Sequence, residues 1–132
     1  MTVNLLTTPS CTSCRKAKQW LIDHNVDFVE RNIFAKPLSE QELKQIFMLS
    51  EGGTDDVIST RSFVFDQCKN KLSSMTISQI ISMLAVHPEL IRRPILLDSK
   101  RIEFGFNEDE IRCFLPRETR KFELEQMVRK AL

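Results

Sequence analysis

Residues 3–14 read VNLLTTPSCTSC, and this stretch decides the fold. Its first five residues form a short apolar run typical of a buried strand, and Pro9 breaks that run. Residues 12–25 then carry apolar side chains at helical spacing, and residues 26–31 predict a second strand. A strand, a helix and a strand within about 30 residues predict a βαβ unit, whose two strands are parallel.

The chain continues with a predominantly helical segment. Ser39 with Glu42 three residues later predicts a capped helix start, and Gly52-Gly53 is interpreted as the end of that helix. Residues 54–70 are read as helical, and residues 76–86 predict a further helix that stops before Pro88. Residues 38–88 are therefore expected to form a helical insert between two stretches that contain strands.

The last part of the chain predicts a hairpin followed by helices. Strands are expected over residues 93–98 and 101–106, and Asn107 is expected to cap a short helix that ends at Phe114. A final helix is predicted over residues 118–131. Its expected apolar side consists of Phe122, Leu124, Met127 and Val128.

This order of elements predicts an α/β fold with a four-stranded mixed sheet. A cysteine pair at the first strand-to-helix turn makes that fold thioredoxin-like. One domain over residues 1–132 is expected, with a core of residues 1–37 and 89–132 around the insert of residues 38–88.

Composition narrows the possible functions. The chain has 132 residues and a formal net charge of +1, from 19 basic and 18 acidic residues. That balance excludes a protein that holds nucleic acid by bulk charge alone. The sequence shows no targeting segment and no apolar run of the roughly 18 residues that a membrane span needs. A cytoplasmic protein with reduced thiols is the expectation.

The chemistry is expected at Cys11 and Cys14. Cys11 lies where the helix begins, and there the free N–H groups and the helix dipole stabilise a thiolate. Cys14 follows one turn later, within reach of a disulfide. A stabilised thiolate beside a second thiol is typical of a redox sensor or an oxidoreductase.

Zinc binding is the alternative for a Cys-x-x-Cys pair, but a complete site needs two further ligands. Cys68 and Cys113 are isolated in the sequence, as are His24 and His87. We therefore interpret the two isolated cysteines as packing residues and expect no cofactor.

Two arginines are candidate neighbours of the cysteine pair. In a thioredoxin-like fold, Pro94 at the start of a strand indicates a cis peptide opposite the cysteines. Arg93 would then point towards the sulfur atoms and could bind an anion. A solvated basic pair, Arg92 and Arg93, is the alternative. Arg61 is the second candidate, because it is a lone cation among apolar residues.

Several longer runs resemble the Spx regulators of low-GC Gram-positive bacteria, which belong to the arsenate reductase-like proteins. The resemblance covers nearly the whole chain. Its motifs are TPSCTSCRKA (8–17), FVERNIF (28–34), GTD (53–55), ISTRS (58–62), RRPI (92–95), FNEDEIR (106–112) and FLPR (114–117).

The resemblance implies a redox-sensing regulator of thiol and oxidative stress that is not an enzyme. It implies binding to the C-terminal domain of the RNA polymerase α subunit, with Gly53 in the polymerase contact. It also implies a switch made of a Cys11–Cys14 disulfide, with Arg93 as its neighbour, and control by a Clp-type protease. Promoter DNA would be touched only together with polymerase. A mild basic patch fits that role, consisting of Arg92, Arg93, Lys100, Arg101, Arg117, Arg120 and Lys121.

The enzymatic alternative is a thiol oxidoreductase such as a glutaredoxin-dependent arsenate reductase. Arg61 and Arg93 match two of the arginines that hold the oxyanion in those enzymes. The third falls near Phe106, which cannot bind an oxyanion, and Cys14 stands where those enzymes generally lack a cysteine. These departures favour the regulator.

Overall fold

A computed structural model of the chain describes residues 2–60 and 63–131, and Arg61 therefore lies outside the described residues. The strands are β1 (Val3–Thr7), β2 (Phe28–Asn32), β3 (Ile95–Leu97) and β4 (Ile102–Phe104). The α-helices are α1 (Thr12–Asp23), α2 (Glu40–Leu49), α3 (Thr54–Val57), α4 (Phe63–Leu72), α5 (Ile77–Val86) and α6 (Arg117–Ala131). Two 3₁₀ helices span Pro88–Leu90 and Glu110–Phe114.

The four strands form one mixed sheet in the order β2-β1-β3-β4. β1 pairs in parallel with β2 and antiparallel with β3, and β3 pairs antiparallel with β4. The predicted α/β fold, the βαβ unit and the hairpin are thus confirmed, although the strands differ by one to two residues at most of their ends. β1 lies inside the sheet, with Glu30 and Leu96 on either side of Leu5.

Apolar cores cover both faces of the sheet because neighbouring strand residues point to opposite faces. Leu5 packs with Leu21 of α1 and with the 3₁₀ helix Glu110–Phe114. Leu6 packs on the other face against the helical insert, with residues such as Leu43 and Leu84. Because β1 is buried on both faces, the chain leaves the strand towards α1 at a defined position.

α2 and α5 begin as their sequence patterns predict. The hydroxyl oxygen of Ser39 accepts the backbone N–H of Glu42, and the Glu42 carboxylate accepts the N–H of Ser39. Thr76 and Gln79 form the same reciprocal pair at the start of α5. Each pair satisfies backbone donors that a helix start leaves free.

The interpretation of Gly52-Gly53 as the end of α2 is wrong. α2 ends at Leu49, and Ser50 is its C-cap. Gly53 instead precedes α3 as its N-cap, with a φ of 58° and a ψ of −124°. Residues with a side chain rarely adopt that backbone conformation, so the glycine is needed for the turn into α3.

The continuous helix predicted over residues 54–70 is also wrong. α3 stops at Val57, and Ile58 forms an isolated antiparallel bridge with Ile91. The backbone N–H of Ser59 donates to the carbonyl oxygen of Leu90, at 2.6 Å. The buried β-branched Ile58 lies in extended backbone here because it has a strand-like partner.

α6 packs with the opposite face to the one predicted. Phe122, Leu124, Met127 and Val128 are all at least half exposed. The half-buried residues are Thr119, Arg120, Glu123 and Gln126. Glu123, on this half-buried side, pairs with Arg112 of the preceding 3₁₀ helix. Within residues 2–60 and 63–131, no helix has the length and apolar character needed to cross a membrane.

The end of α1 supplies a stability test. Asn25 has a φ of 54°, and the N–H groups of Asn25 and Val26 donate to the carbonyl oxygens of Ile22 and Leu21. This is a Schellman motif, which requires the left-handed conformation that β-branched residues avoid. We expect Asn25→Val to lower the free energy of unfolding by about 1–2 kcal/mol in urea titrations. Asn25→Gly is the matched control and should lose less, and equal losses in both variants would contradict the assignment.

Candidate redox switch

The loop between β1 and α1 carries the two cysteines. It leaves the sheet at Thr7, keeps Thr8 buried and turns at Ser10, whose φ is 61°. Cys11 follows in extended backbone and is the N-cap of α1. The burial of β1 and the turn at Ser10 therefore place Cys11 directly at the helix N-terminus.

The Cys11 sulfur is the acceptor at the start of α1. It accepts the backbone N–H of Cys14 at 3.2 Å, in the position where a side-chain oxygen usually caps a helix. Cys11 is half-buried and lines a cavity that opens to solvent. The free N–H groups of the first turn therefore lie near this sulfur.

Cys14 lies in a different environment. Its side chain is buried, with 4% of its surface exposed. Burial, followed by the hydrogen bond with the Cys11 thiol, raises the pKa of Cys14 to about 12, although the Thr8 backbone and the charge of Arg93 act in the opposite direction. Both cysteines are free thiols in this structure. The pair thus combines one accessible sulfur with one buried, protonated sulfur.

Arg93 and Pro94 lie beside this pair. The Arg93–Pro94 peptide bond is cis, as predicted, and Pro94 is buried. A guanidinium nitrogen of Arg93, Nη1, donates to the carbonyl oxygens of Glu89 and Ile91, at 3.2 and 3.3 Å. Cys11, Arg92 and Arg93 line one cavity of about 510 Å³.

Phe34 is a site residue that the sequence reasoning missed. The Cζ atom of Arg93 lies 5.5 Å from the centre of its ring, within the range of a cation–π contact. In the sequence, Phe34 stands out only as the last residue of one of the family runs. The one local indication of its position is Asn32, two residues earlier, because asparagine favours tight turns.

Gly53 lies in another part of the molecule, as part of a tight turn. Its N–H donates to the Ser50 hydroxyl at 2.8 Å, and the N–H of Gly52 donates to the Asp56 carboxylate at 2.7 Å. A Cβ atom on Gly53 would meet nothing within 4 Å, so the space around this glycine is open. Gly53 borders a groove between α2 and α5 instead of the cavity at Cys11.

The other two cysteines take the predicted packing positions. Cys68 packs against the core of the insert, and Cys113 against the core beneath α1. Burial, followed by the nearby Glu103 carboxyl, raises the pKa of Cys113 to about 11. No group of three His, Cys, Asp or Glu side chains suited to a metal ion occurs among the described residues.

Glu103 belongs to a carboxyl cluster that the sequence did not reveal. Burial raises its pKa to about 7, and Glu110, Glu51 and Asp56 add to the rise. These carboxylates come from β4, the following 3₁₀ helix and the α2–α3 region, so only the folded chain brings them together.

Comparison with known proteins places these features in a family context. Residues 6–114 match the model of the ArsC family. The chain is 53% identical over 129 residues to a protein named global transcriptional regulator Spx from Bacillus subtilis, and the match covers 98% of each chain. It is 52% identical over 124 residues to the protein of the same name from Streptococcus pneumoniae, covering 94% of this chain and 93% of that one.

Solved structures share the fold. An ArsC-family-related protein from Bacteroides fragilis is 29% identical, with a TM-score of 0.80, over 86% of this chain and 98% of its own. An arsenate reductase from Vibrio cholerae has a TM-score of 0.76 over 87% of this chain and 98% of its own. At 19% identity, that second likeness concerns the fold alone.

The asymmetry of the two thiols predicts selective alkylation. At about pH 7.5, iodoacetamide should modify Cys11 more than about tenfold faster than Cys14, because Cys14 is buried and protonated. Peptide mass spectrometry over a time course measures both rates. In guanidinium chloride the two rates should converge, which serves as the control. Equal rates in the native protein would contradict the assignment of Cys11 as the reactive thiol.

Proposed function

Since this chain belongs to the ArsC family, and within it to the Spx global transcriptional regulators, we propose that it is a transcription regulator switched by a Cys11–Cys14 disulfide. It senses thiol and oxidative stress, and it acts by binding the C-terminal domain of the RNA polymerase α subunit. It is not an enzyme, and it works in the cytoplasm, where thiols are normally kept reduced.

The observation that carries the proposal is the contrast between the two sulfur atoms. Cys11 caps α1 and faces a cavity, whereas Cys14 is buried one turn away and its N–H donates to the Cys11 sulfur. An accessible thiol beside a resolving thiol is the arrangement of redox sensors.

The chemistry follows in two steps. The Cys11 thiolate attacks a hydroperoxide, breaks its O–O bond and becomes a sulfenic acid, while the other oxygen leaves and takes up a proton as an alcohol or water. The Cys14 sulfur then displaces the hydroxyl group of the sulfenic acid, so a disulfide forms and water leaves with the Cys14 proton. The two sulfurs lose two electrons in total, and the peroxide gains them.

Disulfide formation changes the charge and the geometry of the site. The thiolate charge is lost, so Arg93 loses an anionic neighbour, and the sulfur atoms approach to about 2.05 Å. Because the Cys11 sulfur accepts the backbone N–H of Cys14, this hydrogen bond changes as well. The start of α1 and the Arg93 side chain adjust, and this alters the surface presented to polymerase or promoter.

The groove between α2 and α5 is the proposed polymerase contact. Gly53 borders it together with the exposed side chains of Met48, which is 79% exposed, and Ile77. An exposed apolar groove of about 740 Å³ is typical of a protein contact site. Gly53 places no side chain at the rim of this groove, so a partner can approach the backbone closely there.

Promoter DNA is the second proposed contact, made only while polymerase holds the protein. Arg92 is exposed and borders the cavity at Cys11, and Lys100, Arg117 and Lys121 are also exposed. Part of the basic patch is occupied within the fold, since Arg101 donates to the Cys113 carbonyl oxygen. The remaining charge is too small for strong binding to DNA by this patch alone.

A Clp-type protease is proposed to limit the amount of the regulator.

Arsenate reduction is the second candidate function, favoured by Arg93 and Cys11 facing one cavity. An assay for arsenate-dependent NADPH oxidation with glutaredoxin separates the two candidates. Turnover would support the enzyme. Capture of the C-terminal domain of the polymerase α subunit, without turnover, would support the regulator.

The switch predicts a specific effect of Cys14→Ala. The variant should still bind the polymerase α domain in a pull-down, but oxidant should no longer induce thiol-stress promoters, because no Cys11–Cys14 disulfide can form without the second thiol. Promoter-reporter activity before and after diamide or peroxide measures this loss. Cys68→Ala is the control and should respond like the unmodified protein. Full induction in Cys14→Ala would refute the switch.

The polymerase contact predicts that Gly53→Arg abolishes capture of the polymerase α domain. Any side chain at this φ strains the turn, so Gly53→Ala is the matched control: it shares the backbone strain but adds only a methyl group. We expect Gly53→Ala to retain binding and both variants to unfold cooperatively. Equal binding by Gly53→Arg and Gly53→Ala would contradict the proposed contact.

A further inference from the structure

The ring of Phe34 lies near the guanidinium of Arg93, which lines the cavity at Cys11. The guanidinium Cζ lies 5.5 Å from the ring centre, although Phe34 is 43% exposed to solvent. The rest of the side chain is covered by the fold, and the contact with the guanidinium links the ring to the site.

The position of Phe34 is determined by the end of β2. The Asn32 side-chain oxygen accepts the N–H of Phe34 at 2.9 Å and that of Ala35 at 3.3 Å. The N–H of Ile33 donates to the carbonyl oxygen of Thr7 at 3.0 Å. Because Thr7 ends β1 just before the cysteine loop, the same backbone holds both Phe34 and the start of that loop.

The hydrogen bonds described for Arg93 leave its guanidinium incompletely constrained. Both use Nη1, both are 3.2 Å or longer, and both acceptors are neutral carbonyl groups. Hydrogen bonds of this length lie at the weak end of the normal range. The Cζ atom of Arg93 lies over the Phe34 ring, which adds a cation–π contact to these two hydrogen bonds.

The charge of Arg93 acts on the cysteine pair. Arg93 shares the lining of the cavity with Cys11, and its charge lowers the pKa of Cys14 against the larger effect of burial. A positive charge near these sulfurs stabilises a thiolate, which only the reduced pair possesses. The neutral disulfide gains nothing comparable.

We propose that Phe34 is a positioning residue of the thiol switch, which holds the Arg93 guanidinium beside Cys11 and Cys14 and thereby lowers the tendency of the pair to form a disulfide. The inference rests on the proposed redox function and identifies one residue that determines how readily the disulfide forms. Loss of the ring should free Arg93 to move into solvent and shift the equilibrium towards the disulfide.

The equilibrium can be measured with glutathione as the probe. Glutathione disulfide accepts two electrons from the Cys11–Cys14 dithiol, so one protein disulfide and two molecules of glutathione form. The full-length chain is equilibrated at a series of glutathione ratios, quenched with acid and alkylated. Mass spectrometry then gives the fraction of Cys11–Cys14 disulfide.

The variants separate the ring from the bulk of the side chain. Phe34→Met keeps an apolar side chain of similar size without a ring face, whereas Phe34→Trp keeps the ring face. Phe122→Met is the matched control, because Phe122 is an exposed aromatic residue on α6. Arg93→Gln, alone and with Phe34→Met, tests whether the ring acts through the arginine. Thermal unfolding of each variant verifies that it is folded.

Phe34→Met should raise the equilibrium constant for disulfide formation about two- to fivefold, as expected for loss of a partly exposed cation–π contact. Phe34→Trp and Phe122→Met should stay near the unmodified protein, and Phe34→Met should add nothing in the Arg93→Gln background. An unchanged constant in Phe34→Met, or an equal shift in both backgrounds, would overturn the inference. If the unmodified chain forms no Cys11–Cys14 disulfide at any ratio, the proposed function itself fails.

Discussion

Burial of β1 is the constraint on which the rest of the structure depends. The strand is paired on both edges, by β2 and β3, and its side chains alternate between two apolar cores. A strand held in this way cannot shift its register without exposing Leu5 or Leu6. The chain therefore leaves the sheet at a defined point, and Cys11 arrives at the start of α1 with its sulfur accepting a backbone N–H.

The same strand organises the surroundings of the cysteines. The carbonyl oxygen of Thr7 receives the N–H of Ile33, which holds the turn that presents Phe34. Arg93 and the cis Pro94 precede β3, which pairs with the edge of β1 opposite to β2. Arg93 therefore comes from the opposite edge of β1. The cysteine loop and Arg93 therefore line one cavity, and Phe34 contacts Arg93 beside them. In this setting Cys11 is half-buried and Cys14 is buried.

Much of the fold could be predicted from local sequence patterns. Capping pairs at Ser39 and Thr76 are short-range hydrogen bonds, so their sequence signature is nearly complete. Two of the wrong predictions concern elements with partners elsewhere in the chain. Ile58 lies in extended backbone because Ile91 pairs with it, and Glu123 on the half-buried side of α6 pairs with Arg112. Local propensity contains neither partner, so the pattern favoured one continuous helix over residues 54–70 and a buried apolar side for α6.

The sequence by itself determined the βαβ unit, the hairpin, and the cysteine pair with its place at a helix start, because these follow from hydrophobic periodicity and spacing along one segment. It also predicted the cis Pro94, through the resemblance of the whole pattern to a thioredoxin-like fold. Only the tertiary structure decided which cysteine is buried and what lies against Arg93. Burial and charge contacts depend on residues far apart in the chain, and their effects appear only when the sheet brings those residues together.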